Sequence, residues 1–395
     1  MVNMGVARKK VNYRLREWIF ARQRYWGEPI PIIHMEDGDT IALSEEDLPL
    51  ILPELEDYKG KNGKAPLENA IEWKNVCVNG KKGVRETSTM PGSAGSSWYF
   101  LRYIDPHNDK CLADSNLLNH WMPVDLYVGG PEHAVGHLLY SRMWNNYLYD
   151  KGIINVKEPF KKLVHQGMIL GSNGIKMGKR FPEFVVNPND VVDKYGADTL
   201  RLYEMFMGPL EADKPWSESG VEGAKRFIDR IWRIYVDEPK AIGESKNIEK
   251  IYNQTVKKVT EDYETLNFNT AISQMMIFIN AVMKEEIFPV EYKEGFIKLL
   301  NPICPFVTEE IWNFMGHENT ISYEPWPVYD ESKIIEETFT MIVQVNGKVR
   351  GKIEVSSDTK ESEMKKLAKE IDNVKTFIDG HEIIKEIVVP KKLVN

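Results

Sequence analysis

The sequence predicts an α/β region followed by a helical bundle and a small α+β domain. Up to residue 216, short apolar runs such as "PVDLYVGG" and "KKLVHQGMIL" alternate with helical stretches and glycine turns, which favours buried, parallel strands. From residue 217 to 337, apolar residues recur every three or four positions, as in "GVEGAKRFIDRIWRIYV", and this spacing predicts a bundle. From residue 338 to 395, "TMIVQVNGKVRGKIEV" alternates with a period of two around Asn346-Gly347, a hairpin signal. A helical stretch over 361–380 and a closing strand, "IIKEIVVP", follow.

The composition narrows the class of protein. The chain has 395 residues, of which 42% are hydrophobic and 28% charged, as in ordinary globular proteins. Its three cysteines lie far apart without a C-x-x-C pair, which argues against a disulfide framework and a thiolate zinc site and favours the reducing cytoplasm. No apolar run reaches the roughly 20 residues that span a bilayer, so we expect no membrane partner.

The chain opens with a basic segment, although its net charge is −8. The stretch "ARKKVNYRLREWIFARQRYWG" holds seven Lys/Arg and one acid, interleaved with Tyr13, Trp18, Tyr25 and Trp26. Guanidinium groups bind phosphates and aromatic faces stack on bases, so the mixture suits nucleic acid. An amphipathic helix with a solvated basic face would give the same pattern, and both interpretations stay open.

The run "VGGPEHAVGH" marks a candidate ligand site. Residues 125–128 are predicted to be a strand, Gly129-Gly130 a tight turn and residues 132–149 a helix, with Pro131 at its first position. The junction of strand, glycine turn and helix N-terminus is where α/β proteins bind ligands, because free backbone N–H groups point outward there.

His133 and His137 are predicted to lie on one face of that helix, at i and i+4, directed at the crevice. Zinc hydrolysis is one alternative, but the order His-Glu-x-x-His is absent and no third ligand is marked by spacing. Histidines packed in a core are another. Substrate binding is the interpretation we prefer.

A second candidate site is the loop "NGIKMGKRFPEF", which places Lys176 and Lys179 three residues apart between glycines. Two ammonium groups near a strand end suit a triphosphate, where they stabilise the charge of departing pyrophosphate. The loop has no G-x-x-x-x-G-K-[ST] pattern, and a solvated basic loop would look the same.

Several long motifs occur in one order along the chain: "YRLREWIFARQRYWGEPIPI", "GSSWYFLRYIDP", "PVDLYVGGPEHAVGHLLYSR", the lysine loop, "KYGADTLRLYEMFMGPLE" and "VQVNGKVRGKI". Together they closely resemble bacterial-type leucyl-tRNA synthetase, a class I aminoacyl-tRNA synthetase whose lysine loop reads Lys-Met-Ser-Lys-Ser. The resemblance implies three domains. They are the second half of a Rossmann-like catalytic domain over 1–216, an anticodon-binding-type bundle over 217–337 and an α+β tRNA-binding domain over 338–395.

The chain also departs from the family pattern. The His-x-Gly-His signature of the N-terminal half is absent, and "HAVGH" is not that signature. The resemblance therefore implies that the first half of the nucleotide-binding fold and the editing domain are missing. We expect a fragment or split subunit that is inactive alone and that needs the missing half in cis or in trans. In the lysine loop, Gly178 and Arg180 stand where serines are expected.

The resemblance implies the roles of individual residues in ATP-dependent leucine activation and transfer to leucine tRNA. Lys176 and Lys179 would stabilise pyrophosphate, and Mg²⁺ would accompany ATP without a protein-bound metal. ATP and adenylate would be held by Gly129, Gly130, Glu132, Gln166, Gly167, Met168 and Ile169, of which Glu132 binds the ribose. Leucine would be held by Ser96, Tyr99, Tyr127, His133 and His137.

The resemblance likewise implies contacts to tRNA. Arg22 and Arg24 would handle the acceptor end. Lys348, Arg350 and Lys352 occupy positions i, i+2 and i+4, so they are predicted to share one sheet face. Phosphate contact and protection of an edge strand both explain these cations. A stand-alone tRNA-binding module without catalysis remains the alternative function.

Overall fold

The computed structural model describes residues 8, 10–11, 19–60, 63–334, 338–356, 359–389 and 392–395. The chain forms two compact units, Met1–Gly167 (unit 1) and Met168–Asn395 (unit 2). This division lies inside the predicted α/β region rather than at its end, because Ile169, Met177 and Val186 pack against the core of the helical bundle. None of the described helices has the length and apolar character needed to cross a membrane.

Unit 1 opens with a four-stranded sheet in the order β2-β1-β4-β3, in which every pairing is antiparallel. The strands are β1 (Ile32–Met35), β2 (Thr40–Ala42), β3 (Asn75–Val78) and β4 (Lys81–Arg85). Our expectation of parallel strands was wrong for this region. Asn79-Gly80 joins β3 to β4 with φ of 51° and 78°, so the same Asn-Gly signal that marks the tail hairpin was present here too.

The remainder of unit 1 contains the predicted parallel strands, although they are short. β5 (Tyr127–Val128) pairs in parallel with β6 (Leu163–Val164). Val128 is 48% exposed and Leu163 is 50% exposed, whereas parallel strands are usually covered on both faces. Four helices accompany them: α1 (Ile71–Lys74), α2 (Tyr99–Arg102), α3 (Ser115–Trp121) and α4 (His137–Asp150). A small core of Leu101, Ala113, Leu118, Met122 and Ile154 lies among the segments that include α2 and α3, whereas α1 packs beside the antiparallel sheet.

Unit 2 begins with a second parallel pair and continues into the predicted bundle. β7 (Ile169–Leu170) pairs with β8 (Lys214–Pro215). The helices are α5 (Pro188–Tyr195), α6 (Ala197–Phe206), α7 (Glu218–Trp232), α8 (Glu249–Glu264), α9 (Phe268–Val282), α10 (Val290–Leu300) and α11 (Pro305–Phe314). A π-helical turn, Arg233–Asp237, extends α7. The chain breaks between α10 and α11 at Pro302 and Pro305, as the prolines predict.

The tail of unit 2 has its own sheet and its own core. Strands β9 (Thr338–Val345) and β10 (Lys348–Ser356) form the predicted hairpin, since Asn346 and Gly347 have φ of 55° and 74°. Helices α12 (Glu361–Glu370) and α13 (Asp372–Ile378) replace the single predicted helix. Strands β11 (Val388–Val389) and β12 (Leu393–Val394) complete the order β10-β9-β12-β11. The core includes Phe339, Met341, Val343, Val355 and Met364.

Candidate active site

His137 is the first residue of α4 and lies at the centre of a cluster of aromatic and polar side chains. Its Nδ1 atom is 2.9 Å from the Tyr127 hydroxyl and 3.3 Å from Oγ of Ser141. The two rings of Tyr127 and His137 stack with an interplanar angle of 25°. Burial and the neighbouring His133 lower the pKa of His137 and outweigh the opposing influence of the nearby Ser96 backbone, so the imidazole is neutral near pH 7.

The other ring nitrogen of His137 distinguishes this residue from an ordinary core histidine. Nε2 is buried and has no hydrogen-bond partner among the described residues. A buried polar atom without a partner costs free energy unless a ligand or water satisfies it. Nε2 of His137 is therefore a polar atom of this cluster whose hydrogen-bonding capacity is unused among the described residues.

The structure brings all five residues of the predicted leucine pocket together. The ring centroid of His137 is 5.5 Å from that of Tyr99 and 6.5 Å from that of His133. Ser96 belongs to the 3₁₀ turn Gly95–Ser97, which packs against α4. Tyr99 is 44% exposed, so the cluster opens to solvent on one side.

Two neighbours of this cluster were missed from the sequence. Phe160 packs on Tyr127 with ring centroids 4.5 Å apart, and the hydroxyl of Ser141 donates to the backbone oxygen of Ser97 at 2.9 Å. Ser141 lies one helical turn after His137, so its position on the ligand face was available from the spacing. Phe160 carries no such signal, because it comes close only when β5 pairs with β6.

The helical geometry proposed for the two histidines was wrong. His133 lies in a separate 3₁₀ turn, Pro131–Ala134, and α4 starts at His137. The interruption is at Gly136, whose φ of −109° and ψ of −122° are far from helical values. The two rings are still neighbours, but at an interplanar angle of 87° rather than on one helical face.

Glu132 lies at the start of this 3₁₀ turn, and its side chain is exposed. Its carboxylate folds over Gly130, where an added Cβ would be 2.3 Å from Oε2. The carboxylate has no hydrogen bond or ion pair with any described residue, so it is free to accept from a ligand. Gly129 is less crowded, since a Cβ there would meet His133 and Tyr127 only at 3.6 Å.

The predicted adenine-binding stretch crosses the boundary between the units. Gln166 and Gly167 end unit 1 and are half-buried. In unit 2, the N–H of Met168 donates to Oδ1 of Asp213 at 2.6 Å, and its carbonyl accepts from the N–H of Lys214 at 3.0 Å. The backbone N–H of Met168 is therefore already engaged, which the sequence did not indicate.

Ile169, the last residue of this stretch, pairs with Lys214 in the β7–β8 ladder. The lysine loop follows β7 and closes on itself. Gly171 donates to the carbonyl of Ile175 at 2.8 Å, and Lys176 forms an antiparallel bridge with Leu170.

Met177 is half-buried and packs on the core of the bundle, and its Sδ accepts a hydrogen bond from Val186 at 3.4 Å. Lys176 and Lys179 are exposed, and neither ammonium group has an ion pair within the part of the chain described above. The contacts of Met177 therefore anchor the loop to the bundle core, and Lys176 and Lys179 supply two ammonium groups without an ion pair among the described residues.

The basic opening segment is not helical where it is described, from residue 19 to 27, so the alternative of an amphipathic helix is wrong there. Arg22 exchanges backbone hydrogen bonds with Thr89, and its guanidinium donates to the carbonyl of Ala21 at 3.1 Å. Arg24 is exposed and Trp26 is 82% exposed. Tyr13 and Trp18 lie outside the described residues.

The three tail cations do not share one face. A β-bulge shifts the β9–β10 register between Val349 and Gly351, which interrupts the alternation of side chains. Arg350 turns onto α13, with its guanidinium carbon 3.8 Å from the ring centroid of Phe377. Lys348 and Lys352 remain exposed. The prediction that the three cations share one face was wrong, because counting alternate residues does not reveal a bulge.

The zinc alternative gains no support from the surroundings of His133 and His137. Among the residues whose placement is described, no group of three His, Cys, Asp or Glu side chains could hold a metal ion. A catalytic zinc site needs three protein ligands.

Comparison with known proteins agrees with this architecture. The family model for class I tRNA synthetases (I, L, M and V) matches residues 9–217, and the model for the anticodon-binding domain of tRNA ligases matches residues 245–366. The chain belongs to the class I tRNA synthetase family. It combines a class I catalytic region with an anticodon-binding domain.

Among solved structures, the chain is similar to the leucyl-tRNA synthetase of Agrobacterium radiobacter K84, described as a ternary complex with tRNA and LeuAMS. The identity is 31% and the TM-score 0.82, over 97% of this chain and 52% of that one. A methionyl-tRNA synthetase of Mycobacterium tuberculosis with methionyl-adenylate matches at 13% identity and a TM-score of 0.44, over 58% and 51%. The chain spans about half the length of these relatives.

Proposed function

We propose that this chain is the C-terminal portion of a leucine–tRNA ligase. In the reaction, the leucine carboxylate attacks the α-phosphate of ATP, which gives leucyl-adenylate and pyrophosphate. A hydroxyl at the 3′ end of leucine tRNA then attacks the activated carbonyl and releases AMP. The likeness to a leucyl enzyme along 97% of the chain supports the choice of leucine within the family.

The observation that carries the proposal is the cluster around His137. Tyr127 and Tyr99 offer flat apolar surfaces to a branched side chain, and the buried, unpartnered Nε2 offers one polar atom. Pockets for small ligands combine mostly apolar walls with a few oriented polar groups. The lowered pKa of His137 keeps the ring neutral, so the pocket suits an aliphatic side chain rather than an acidic one.

The nucleotide would use groups that the fold leaves free. Glu132 would accept hydrogen bonds from the ribose, and Gly130 would allow the nucleotide to approach the backbone. Gln166 and Gly167 would hold the adenine end, together with Ile169, while the engaged N–H of Met168 would serve only to shape the stretch. Lys176 and Lys179 would stabilise the leaving pyrophosphate, with Mg²⁺ bound to the phosphates rather than held by the protein.

We further propose that a second segment, carrying the N-terminal half of the nucleotide fold, completes unit 1 in cis or in trans in the cytoplasm. The exposure of Val128 and Leu163 on the two parallel strands supports this, since such strands are normally covered on both faces. Leucine tRNA would contact Arg24 near the acceptor end and the exposed Lys348 and Lys352 of the tail. The backbone-paired Arg22 would place Arg24.

The test is amino-acid-dependent exchange of pyrophosphate into ATP, measured for the chain alone and after addition of the N-terminal half of a related enzyme. We expect no exchange by the chain alone and leucine-dependent exchange by the pair, with isoleucine, valine and methionine at least tenfold weaker. Preference for one of those three would refute the leucine assignment. Tight tRNA binding without exchange by the pair would instead favour the non-catalytic tRNA-binding module.

A further inference from the structure

The lysine loop contains a third cation, Arg180, which stands where the family motif has a serine. The loop, residues 173–184, carries Lys176, Lys179 and Arg180 and one acidic residue, Glu183, so it has a net charge of +2. Arg180 is exposed and has no ion pair with any residue that the structure describes. A solvated surface arginine usually samples many rotamers, but local contacts restrain Arg180.

The backbone of the loop fixes where the cations lie. The N–H of Phe181 donates to the carbonyl of Gly178 at 3.1 Å, which closes a tight turn. Lys179 and Arg180 are its two central residues, and both side chains are exposed. The two ends of the loop also lie close together, because an added Cβ on Gly171 would lie 2.9 Å from Cβ of Phe184.

The side chain of Arg180 is further restrained by stacking. Its guanidinium carbon lies 5.3 Å from the ring centroid of Phe181, within the range of a cation–π contact. Stacking on a ring face leaves the edge of the guanidinium, with its N–H donors, directed outward. A planar guanidinium binds two phosphate oxygens at once, whereas an ammonium acts as a point charge.

We propose that Arg180 is a third polyphosphate-binding residue, held by Phe181, which supplies a bidentate contact in place of the serine hydroxyl of the usual motif. This inference rests on the proposed function of the lysine loop and adds a residue to it. The ligand class is a pyrophosphate or triphosphate group. A Cβ added at Gly178 would meet nothing within 4 Å, so the space beside the turn is open.

The experiment is titration of the full chain with magnesium pyrophosphate by calorimetry, at low salt. We expect Arg180→Ala to weaken binding about tenfold, as expected for loss of a charge-assisted bidentate contact. Arg180→Lys keeps the charge but not the planar fork, so it should weaken binding by about threefold. Arg226→Ala, which removes an exposed arginine from α7, is the matched control and should leave the affinity unchanged.

The role of Phe181 is tested by coupling. Phe181→Leu should weaken pyrophosphate binding about twofold to threefold in the presence of Arg180 and not at all in the Arg180→Ala background, since residues in contact are not additive. Equal effects in both backgrounds would mean that Phe181 does not act through Arg180. Arg180 is exposed, so Arg180→Ala should leave thermal unfolding unchanged, and because Phe181 is half-buried its effect is judged by the difference between the two backgrounds.

The outcomes separate this inference from the proposed function. If Lys176→Ala and Lys179→Ala lose pyrophosphate and Arg180→Ala does not, Arg180 is merely solvated and the inference is overturned alone. Equal losses for Arg180→Ala and Arg226→Ala would reduce the effect to net charge and also overturn it. Failure of the unsubstituted chain to bind pyrophosphate would refute it too, whereas the proposed function is judged by leucine-dependent exchange.

Discussion

The two compact units differ in how much apolar surface they bury within themselves. Among the described residues, the main core of unit 2 contains 32 buried residues, with Phe278, Phe288 and Phe296 fully enclosed. The corresponding cluster in the described part of unit 1 contains five. Unit 1 nevertheless carries the His137 cluster and Glu132. The proposed leucine and ribose contacts therefore belong to the unit with the smaller described core, whereas the lysine loop belongs to unit 2, the more self-sufficient fold.

Matched leucine truncations should give the largest measurable contrast. Leu300 in unit 2 and Leu101 in unit 1 are both fully buried. Leu300→Ala should cost about 4 to 5 kcal/mol of the free energy of unfolding, near the upper end for such changes, because dense packing cannot collapse into the cavity. Leu101→Ala should cost about 2 to 3 kcal/mol, because a sparser core relaxes more.

Urea unfolding followed by hydrogen exchange in each unit would measure these values. The control is Leu117→Ala in unit 1, a leucine that is 39% exposed, which should change the free energy of unfolding by less than about 0.5 kcal/mol. Equal costs for Leu300 and Leu101 would show that unit 1 is as firmly packed as unit 2, and the contrast would fail.

The roles proposed for His137 and Glu132 in unit 1 can be separated in the completed enzyme. His137→Ala should raise the apparent KM for leucine more than that for ATP. Glu132→Gln should do the reverse, weakening ATP by about 1 to 3 kcal/mol as hydrogen bonds to a charged acceptor are lost. Steady-state exchange kinetics with each substrate varied would measure both. Parallel losses for leucine and ATP in both variants would indicate collapse of the 3₁₀ turn and α4 instead.

Within unit 2, the tail offers a contrast between a stacked cation and two solvated ones. Lys348→Ala and Lys352→Ala should each lower the salt dependence of tRNA binding by a slope of about 0.7 to 0.9, with no change in stability. Arg350→Ala should cost about 1 kcal/mol of tail stability through loss of its contact with Phe377. Filter binding across a salt series and thermal unfolding would distinguish them. An unchanged slope in both lysine variants would mean that these cations only protect the edge strand.

The smallest expected effect is a pH dependence confined to unit 1. The pKa of His137 is lowered in the folded protein from the ordinary value of 6.5, so the unfolded chain takes up the proton first as the pH falls. Stability is fully present above pH 6.5 and decreases as the pH falls below that value, levelling off below the folded pKa. Urea unfolding at pH 7.5, 6.0 and 5.0 would show it. His137→Asn should flatten this trend, and an identical pH trend in that variant would assign it to other groups.

The sequence by itself determined the features that depend on local pattern. The bundle helices follow from apolar spacing, the break before α11 from two prolines, and the tail hairpin from Asn346-Gly347, since each depends on neighbours a few residues away. The family motifs likewise named the residues that surround His137. Asn79-Gly80 carried the same local signal, so the antiparallel sheet could have been predicted as well.

Only the tertiary structure decided how those residues are used. Gly136 divides the predicted helix, the bulge beside Arg350 separates the tail cations, and Asp213 engages the N–H of Met168. Nε2 of His137 is left buried and unpartnered because of which side chains pack around it. Each of these depends on partners distant in sequence or on a single backbone angle, and a one-residue change in register or dihedral redirects a side chain without altering the apolar pattern.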